Sequence, residues 1–209
     1  MLSLIYLTYL LLIFWTIRAV KQVLFWIYLW QLKEYHVGRF IDHFRTHKGR
    51  KLIFDPPTFI KILLLPLIFW NVAFGWILLA LYIAQALLFG WHIAGRNFKK
   101  PKFTFKTILL TLTSFALVMI YGFATYKYLL SAKFILVLLV LDIFAPIIIS
   151  AIVLIFQPFF VMMRTRILKK AAAKVASYKN LKVIGITGSY GKTATKEFLT
   201  TILSSKFNL

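Results

Sequence analysis

Hydrophobic and polar residues follow one another along this chain in long blocks. Apolar runs occupy residues 1–17, 22–32, 60–92, 107–126 and 134–163. A helix that crosses the hydrocarbon core of a bilayer needs about 20 apolar residues, so these runs predict membrane-spanning helices. The run 107–126 fits one span, and we expect the last span to end near Gln157 and Pro158.

The first run predicts a short span that ends where the charges begin. Arg18 and Lys21 are expected to mark its exit from the membrane, and the aromatic residues within 25–30 are expected to lie at the interface. No basic segment precedes residues 1–17 and no small-residue cleavage site follows them, which argues against a cleaved signal peptide.

The run 60–92 is too long for one upright helix and short for two. Asn71 and Gly75 lie near its middle and indicate a hairpin turn there. The alternative is one long, tilted helix.

Basic residues between the runs help to decide the topology, because they favour the cytoplasmic side. The segments 33–51, 96–106 and 164–182 are rich in Lys and Arg, whereas 127–133 is poor in them. Placing the three basic segments on one side requires residues 60–92 to cross twice. This predicts about five spans with the N-terminus outside; the alternative has about four, with 33–51 outside.

Residues 31–48 are expected to form an amphipathic helix that lies on the membrane. Val37, Phe40, Ile41 and Phe44 share one face of such a helix. On a neighbouring stripe stand three histidines, which are His36, His43 and His47. Their spacing permits metal binding, but the pattern favours a polar flank because no carboxylate shares the stripe.

Asp142 is the only acidic residue inside a predicted span. A charged group at such depth is costly and often marks a functional site. The alternative, which we favour, is that Asp142 pairs with a lysine or caps a helix break before Pro146.

Composition agrees with a membrane protein. The chain is 61% hydrophobic and carries 26 Lys and Arg against 5 Asp and Glu, a net charge of +21. The basic residues lie between apolar runs, which favours an anionic membrane surface over nucleic acid as their partner. With no cysteine, the chain has neither disulfides nor thiolate metal sites.

The end of the chain has a different pattern. Val183, Ile184 and Ile186 predict a buried strand, and the turn Thr-Gly-Ser-Tyr-Gly-Lys-Thr then leads into an amphipathic helix. Glycine turns ahead of a helix N-terminus bind phosphate through backbone N–H groups and the helix dipole. The general phosphate-loop pattern requires glycine at position 186, so only the shorter form of the motif is present.

Residues 185–197, Gly-Ile-Thr-Gly-Ser-Tyr-Gly-Lys-Thr-Ala-Thr-Lys-Glu, resemble the ATP-binding loop of the Mur ligases. Gly-Ser within the loop and Lys-Glu after it are most similar to the members that join D-Ala-D-Ala to UDP-N-acetylmuramoyl-tripeptide. The resemblance covers residues 180–209.

The resemblance implies ATP and Mg²⁺ as cofactors, a peptidoglycan-precursor-like substrate, and amide formation through an acyl phosphate. Lys192 would be the catalytic residue and Thr193 the magnesium ligand. The implied nucleotide-binding residues are Gly188, Ser189, Tyr190, Gly191, Lys192, Thr193 and Ala194.

The predicted fold class is therefore an α-helical multi-span membrane domain followed by the first strand–loop–helix of an α/β phosphate-loop domain. The predicted divisions are a membrane domain at 1–163, a basic juxtamembrane linker helix at 164–180 and the start of the ATP-binding domain at 181–209. We expect an integral protein of the bacterial inner membrane with the ATP-binding end in the cytoplasm.

We also expect these residues to be the N-terminal fragment of the ligase and to be inactive alone. Two alternatives stay open. One is a membrane ligase similar to poly-γ-glutamate synthase. The other is a membrane transporter or scaffold with an incidental glycine loop.

Overall fold

The computed structural model describes residues 2–53, 55–125, 132–178 and 183–206, and within these ranges the regular structure is helical. The α-helices are α1 (Leu2–Leu32), α2 (Val37–Arg45), α3 (His47–Ile53), α4 (Pro56–Trp70), α5 (Gly75–Ala94), α6 (Phe105–Thr125), α7 (Ala132–Ala176) and α8 (Lys192–Leu203). Contacts divide the chain into two compact units, Met1–Met162 and Met163–Leu209.

Four stretches are long and apolar enough to cross a membrane. They are Ser3–Leu32, His47–Trp70, Val72–Ala94 and Lys133–Ala176, and a shorter apolar helix covers Phe105–Val118. The second stretch combines α3 and α4 and includes Phe54, which lies outside the described residues. The expectation of a multi-span membrane region is confirmed to this extent.

The apolar run 60–92 forms two helices, as the hairpin interpretation predicts. Helix α4 ends at Trp70, a 3-10 turn covers Val72–Phe74, and α5 begins at Gly75. The Asn71 side chain accepts a hydrogen bond from the Ala73 N–H at 2.9 Å. A short polar side chain thus satisfies a backbone donor that the end of a helix leaves free.

The first apolar run does not end at Arg18. Helix α1 continues to Leu32, so the prediction that Arg18 and Lys21 mark an exit is wrong. The aromatic residues within 25–30 were expected at the membrane interface. Two of them, Trp26 and Trp30, are instead buried in the core of the unit. Arg18 continues the helix because it finds a carboxylate partner inside the unit.

Helix α7 runs through both Pro146 and Pro158 to Ala176. The predicted break before Pro146 is therefore wrong, whereas the expected end of the last span near Pro158 concerns the membrane boundary and stays a prediction. Proline lacks an N–H, so Pro146 leaves the carbonyl of Asp142 without its usual helical donor. Gln22 supplies one, since its Nε2 donates to the Asp142 carbonyl at 3.2 Å.

The amphipathic segment 31–48 is not one surface helix. Residues up to Leu32 belong to α1, and α2 begins at Val37. Phe40 is buried against Trp30, with ring centroids 3.8 Å apart and an interplanar angle of 10°. Two tryptophans of α1 therefore hold α2 through its aromatic face, as Trp26 also contacts Phe40 and Phe44.

Two apolar clusters form the core of the first unit. One joins α1, α4, α5 and α7, and the other joins α1, α2, α6 and α7. On α1 the first cluster ends at Trp15 and the second begins at Val23. On α7 the first cluster ends at Leu139 and the second begins at Ile149. Two of the buried polar residues, Gln22 and Asp142, lie in this gap between the clusters.

The second unit contains the last turns of α7, the glycine turn and α8. Residues 183–188 have no regular structure, so the predicted strand is not formed in the described part of the chain. A strand needs a neighbouring strand to pair its N–H and C=O groups. The described residues of this unit supply none, and the α/β part of the predicted fold class stays a prediction.

Candidate functional site

The glycine turn has the local geometry that its sequence predicts. Gly191 has φ +76° and Gly188 has φ +155°, both in regions that glycine tolerates best. Gly191 is the N-cap of α8, and its carbonyl accepts from the Thr195 N–H at 2.8 Å. The turn therefore feeds directly into a helix.

Most of the predicted site residues come together at the start of α8. Lys192, Thr193 and Ala194 form its first turn, whose N–H groups have no acceptor within the helix. The Lys192 ammonium folds back over the turn and donates a hydrogen bond to the Gly188 carbonyl. A positive side chain and a set of free N–H groups are thus gathered at one end of a helix.

Solvent reaches all of these residues. Residues 188–194 are exposed, and the Tyr190 side chain is 96% exposed. The turn has the donors for phosphate, but the described residues place no wall around it for an adenine ring or a sugar. It is suited to hold a phosphate group and its metal, with Thr193 as the candidate metal ligand.

A second polar site lies inside the first unit, around Asp142. Its carboxylate accepts from the Lys61 ammonium and from Gln22 Nε2, and Arg18 Nε lies 3.4 Å from its Oδ1. The Asp142 side chain is 1% exposed and that of Lys61 is 2% exposed. The expectation that Asp142 pairs with a lysine is confirmed.

Lys61 has further partners besides Asp142. Its Nζ lies 3.2 Å from Gln85 Oε1 and 5.2 Å from the centre of the Tyr82 ring. The cluster therefore links α1, α4, α5 and α7 through one carboxylate. Two basic side chains, Arg18 and Lys61, thus face a single carboxylate.

The sequence indicates Asp142 as a candidate but not most of its partners. The pattern predicts that Arg18 marks a membrane exit, and it does not distinguish Gln22, Lys61 and Gln85 from their neighbours. The available signal was weak: a polar residue isolated inside an apolar run, as Lys61 is within 60–92. Such a residue predicts a buried partner but not which one.

The histidines show no metal site. Among the described residues there is no group of three or more His, Cys, Asp or Glu side chains placed to hold a metal ion. His36 instead caps α2, where its Nδ1 accepts from the Arg39 N–H. Burial, together with the charge of Lys33, lowers the pKa of His43.

A cation–aromatic contact lies beside the end of α1. The Lys106 ammonium is 3.5 Å from the centre of the Tyr35 ring and 4.6 Å from that of Phe160. Gln157 Nε2 donates to the Tyr35 carbonyl at 2.8 Å. Burial raises the pKa of the Tyr35 hydroxyl to about 12.

Comparison with protein-family models, with curated proteins and with solved structures finds no match for this chain.

Proposed function

We propose that this chain supplies the membrane region and the phosphate-binding loop of a membrane-anchored, ATP-dependent amide ligase of Mur type. The observation that carries the proposal is the turn Thr-Gly-Ser-Tyr-Gly-Lys-Thr, in which a left-handed Gly191 leads into α8 and Lys192 folds over the turn. The same residues carry the sequence resemblance to Mur ligases.

In this proposal the turn binds the phosphates of Mg-ATP. The N–H groups of residues 188–194 and the N-terminus of α8 face phosphate oxygens, and Lys192 leaves the Gly188 carbonyl to bind the terminal phosphates. Thr193 ligates the magnesium ion. Lys192 is the catalytic residue because its charge offsets the negative charge on the transferred phosphoryl group.

The chemistry has two steps. A substrate carboxylate oxygen attacks the γ-phosphorus of ATP, so that ADP leaves and an acyl phosphate forms. The nitrogen of an amine then attacks the acyl carbon, inorganic phosphate leaves, and the amine loses a proton as the amide forms. Within the Mur resemblance, the acid is UDP-N-acetylmuramoyl-tripeptide and the amine is D-Ala-D-Ala.

The basic residues that follow the last apolar run support a location of this chemistry at the membrane. Arg164, Arg166, Lys169, Lys170 and Lys174 lie on the exposed last turns of α7. Each cation near an anionic leaflet adds about 1 kcal/mol of attraction. We propose a five-span inner-membrane protein with this segment and the ATP loop on the cytoplasmic side.

Two other functions have specific observations in their favour. Membrane helices ahead of the loop favour a ligase similar to poly-γ-glutamate synthase, which would act on a different acid and amine. The buried cluster around Asp142 favours a transporter, since charged groups inside a membrane often lie on a transport path. The glycine turn favours a ligase over a transporter, and the resemblance of Gly-Ser within the loop and Lys-Glu after it favours the peptidoglycan type.

Ligase activity is tested in membranes that carry the protein as its source cell makes it. Membranes with UDP-N-acetylmuramoyl-tripeptide, D-Ala-D-Ala and Mg-ATP are expected to form the pentapeptide product, seen by mass spectrometry. Lys192→Ala is expected to lower the rate at least a hundredfold, and Lys196→Ala, a matched change on the exposed face of α8, is expected to leave it unchanged. Product formation that is equal in both variants would contradict the proposal.

A further inference from the structure

The segment that joins α5 to α6, residues 95–104, has no helix or strand, yet it is fixed to the first unit at several points. The Phe98 ring packs edge-on against an aromatic ring of α5, with centroids 4.9 Å apart. Gln31 Nε2 donates to the Lys102 carbonyl at 3.0 Å, and the Lys102 N–H donates to Gln31 Oε1 at 2.7 Å. Pro101, between these two attachments, is buried. The backbone of this α5–α6 segment therefore has a defined path over the unit.

The same segment presents four basic side chains to solvent. They are Arg96, Lys99, Lys100 and Lys102, and all four are exposed. None of the ion pairs among the described residues of the first unit includes them. Because the backbone is fixed, these charges stay close together along a short stretch of chain, and like charges in such a group repel one another unless an anion lies among them.

The first unit has too few carboxylates to neutralise this group. Its acidic residues are Glu34, Asp42, Asp55 and Asp142. Glu34 and Asp42 each pair with an arginine, and Asp142 is buried with Lys61. Asp55 is the only acidic residue of the described part of this unit that is left without an ion pair. Charge complementarity therefore favours an anion from outside the unit.

Exposed aromatic side chains flank these cations and indicate what kind of anion fits. Trp91, near the end of α5, is 76% exposed, while Phe103 and Phe105, beside the start of α6, are 59% and 68% exposed. A soluble anion such as free phosphate offers these rings no apolar contact. Aromatic rings beside lysines at the ends of apolar helices are typical of the boundary between the headgroups and the acyl chains of a bilayer. An anionic phospholipid offers both the charge and the apolar contact.

We propose that the α5–α6 segment is a binding site for an anionic phospholipid. Its phosphate group lies at Lys99, Lys100 and Lys102, and the upper part of its acyl chains lies against Phe103 and Phe105. A fixed backbone lowers the entropy that is lost when side chains order around a headgroup, so binding is saturable and not merely diffuse. The site belongs to the first unit and does not depend on the ATP loop or on the proposed ligase activity.

Photolabelling measures the lipid preference of this site. The full 209-residue chain in phosphatidylcholine nanodiscs receives a small share of phosphatidylglycerol or phosphatidylcholine that carries a diazirine in the upper acyl chain. Labelled peptides are mapped by mass spectrometry after chymotryptic digestion. Phosphatidylglycerol is expected to label residues 96–105 at least about fivefold more than phosphatidylcholine, the factor that one cation near an anionic leaflet supplies. Excess unlabelled phosphatidylglycerol is expected to compete, whereas soluble glycerol 3-phosphate is expected not to.

Two triple variants test the lysines themselves. Combining Lys99→Gln, Lys100→Gln and Lys102→Gln removes the charges from exposed positions and is expected to bring labelling by phosphatidylglycerol down to the level of phosphatidylcholine. Combining Lys99→Arg, Lys100→Arg and Lys102→Arg keeps the charges and is expected to keep the preference. Circular dichroism of both variants checks that the helices are retained.

A third triple variant separates this site from the overall charge of the chain. Combining Lys169→Gln, Lys170→Gln and Lys174→Gln removes the same charge from the exposed last turns of α7 and is expected to keep the preference at residues 96–105. Equal labelling of the wild type by the two lipids, or an equal loss in both glutamine variants, would overturn the proposal. Suppression by glycerol 3-phosphate would overturn it as well, since it would show a site for a soluble phosphate compound.

Discussion

Asp142 is the residue on which the arrangement of the first unit depends most. Its carboxylate accepts from Lys61 and Gln22, lies near Arg18, and its backbone carbonyl accepts from Gln22 in place of the donor that Pro146 lacks. The Asp142 carboxylate thus provides a counter-charge for buried basic side chains. Its backbone carbonyl, left without a helical donor by Pro146, is bonded by Gln22. The two charged partners, Arg18 on α1 and Lys61 on α4, come from helices far apart in the sequence from α7, so these ion pairs also stabilise the packing of the helices.

Replacing Asp142 by Asn is expected to destabilise the first unit by about 3 to 5 kcal/mol, because Lys61 and Arg18 would stay buried without a counter-charge. Unfolding in detergent, followed by circular dichroism, measures the change. Asp42→Asn is the matched control. Asp42 lies on the surface, and its ion pair with Arg45 is exposed to solvent, so its loss is expected to change stability little. Equal midpoints for the two variants would show that Asp142 has no such role.

The sequence predicts a part of this site only where the partners need not be identified along the chain. That Asp142 needs a cation follows from its burial in an apolar run, and the structure confirms a lysine. Lys61 is distant in sequence, so only the packing of α4 against α5 and α7 selects it. Arg18 was misread because a charge after an apolar run marks a membrane exit by pattern alone, whereas a buried partner lets the helix continue.

At the scale of the elements, local chemistry predicted turns better than helix lengths. Asn71 and Gly75 gave the break between α4 and α5 correctly, since capping involves residues only a few positions apart. The end of α1 and the break before Pro146 were predicted wrongly, because partners from other helices decide whether a charge or a proline is tolerated. Strand formation after residue 182 depends in the same way on neighbours that the described residues do not supply.

The junction of α1 and α2 is expected to weaken in alkali through Tyr35. Its folded pKa is about 12, above the usual value of about 10, so between these pH values the unfolded chain loses the proton first. Stability from the neutral hydroxyl is therefore complete below about pH 10 and falls as pH rises towards 12. Protection of the α2 amides against hydrogen exchange, taken relative to the base-catalysed intrinsic exchange rate at each pH, is expected to fall over this range.

Tyr35→Phe is expected to remove this part of the alkaline response and to keep the ring beside Lys106. Tyr6→Phe is the control, because the Tyr6 side chain is 63% exposed. The same pH response in wild type and Tyr35→Phe would show that another group is responsible.

At the scale of the whole molecule, the number and orientation of the spans stay a prediction, with five spans expected because residues 60–92 form two helices. In this topology the turn at 71–75 faces the outside, and the basic segments 33–51 and 96–106 face the cytoplasm. The four-span alternative needs one long helix across the turn, where the structure has Asn71 and a 3-10 turn.

Single cysteines test the topology cleanly because the chain has none of its own. In intact cells, Ala73→Cys is expected to react with a membrane-impermeant maleimide, while Lys48→Cys and Lys100→Cys are expected to react only after permeabilisation. Labelling of Lys48→Cys in intact cells with none at Ala73→Cys would favour the four-span alternative.

The central claim is that the glycine turn at the end of this chain binds Mg-ATP beside the membrane. The most direct measurement is photolabelling with azido-ATP and Mg²⁺ in membranes that carry the protein as its source cell makes it. The proposed function predicts saturable labelling that excess ATP suppresses, that Lys192→Ala abolishes and that Lys196→Ala preserves. Labelling that ATP does not suppress, or that Lys192→Ala leaves intact, would contradict it.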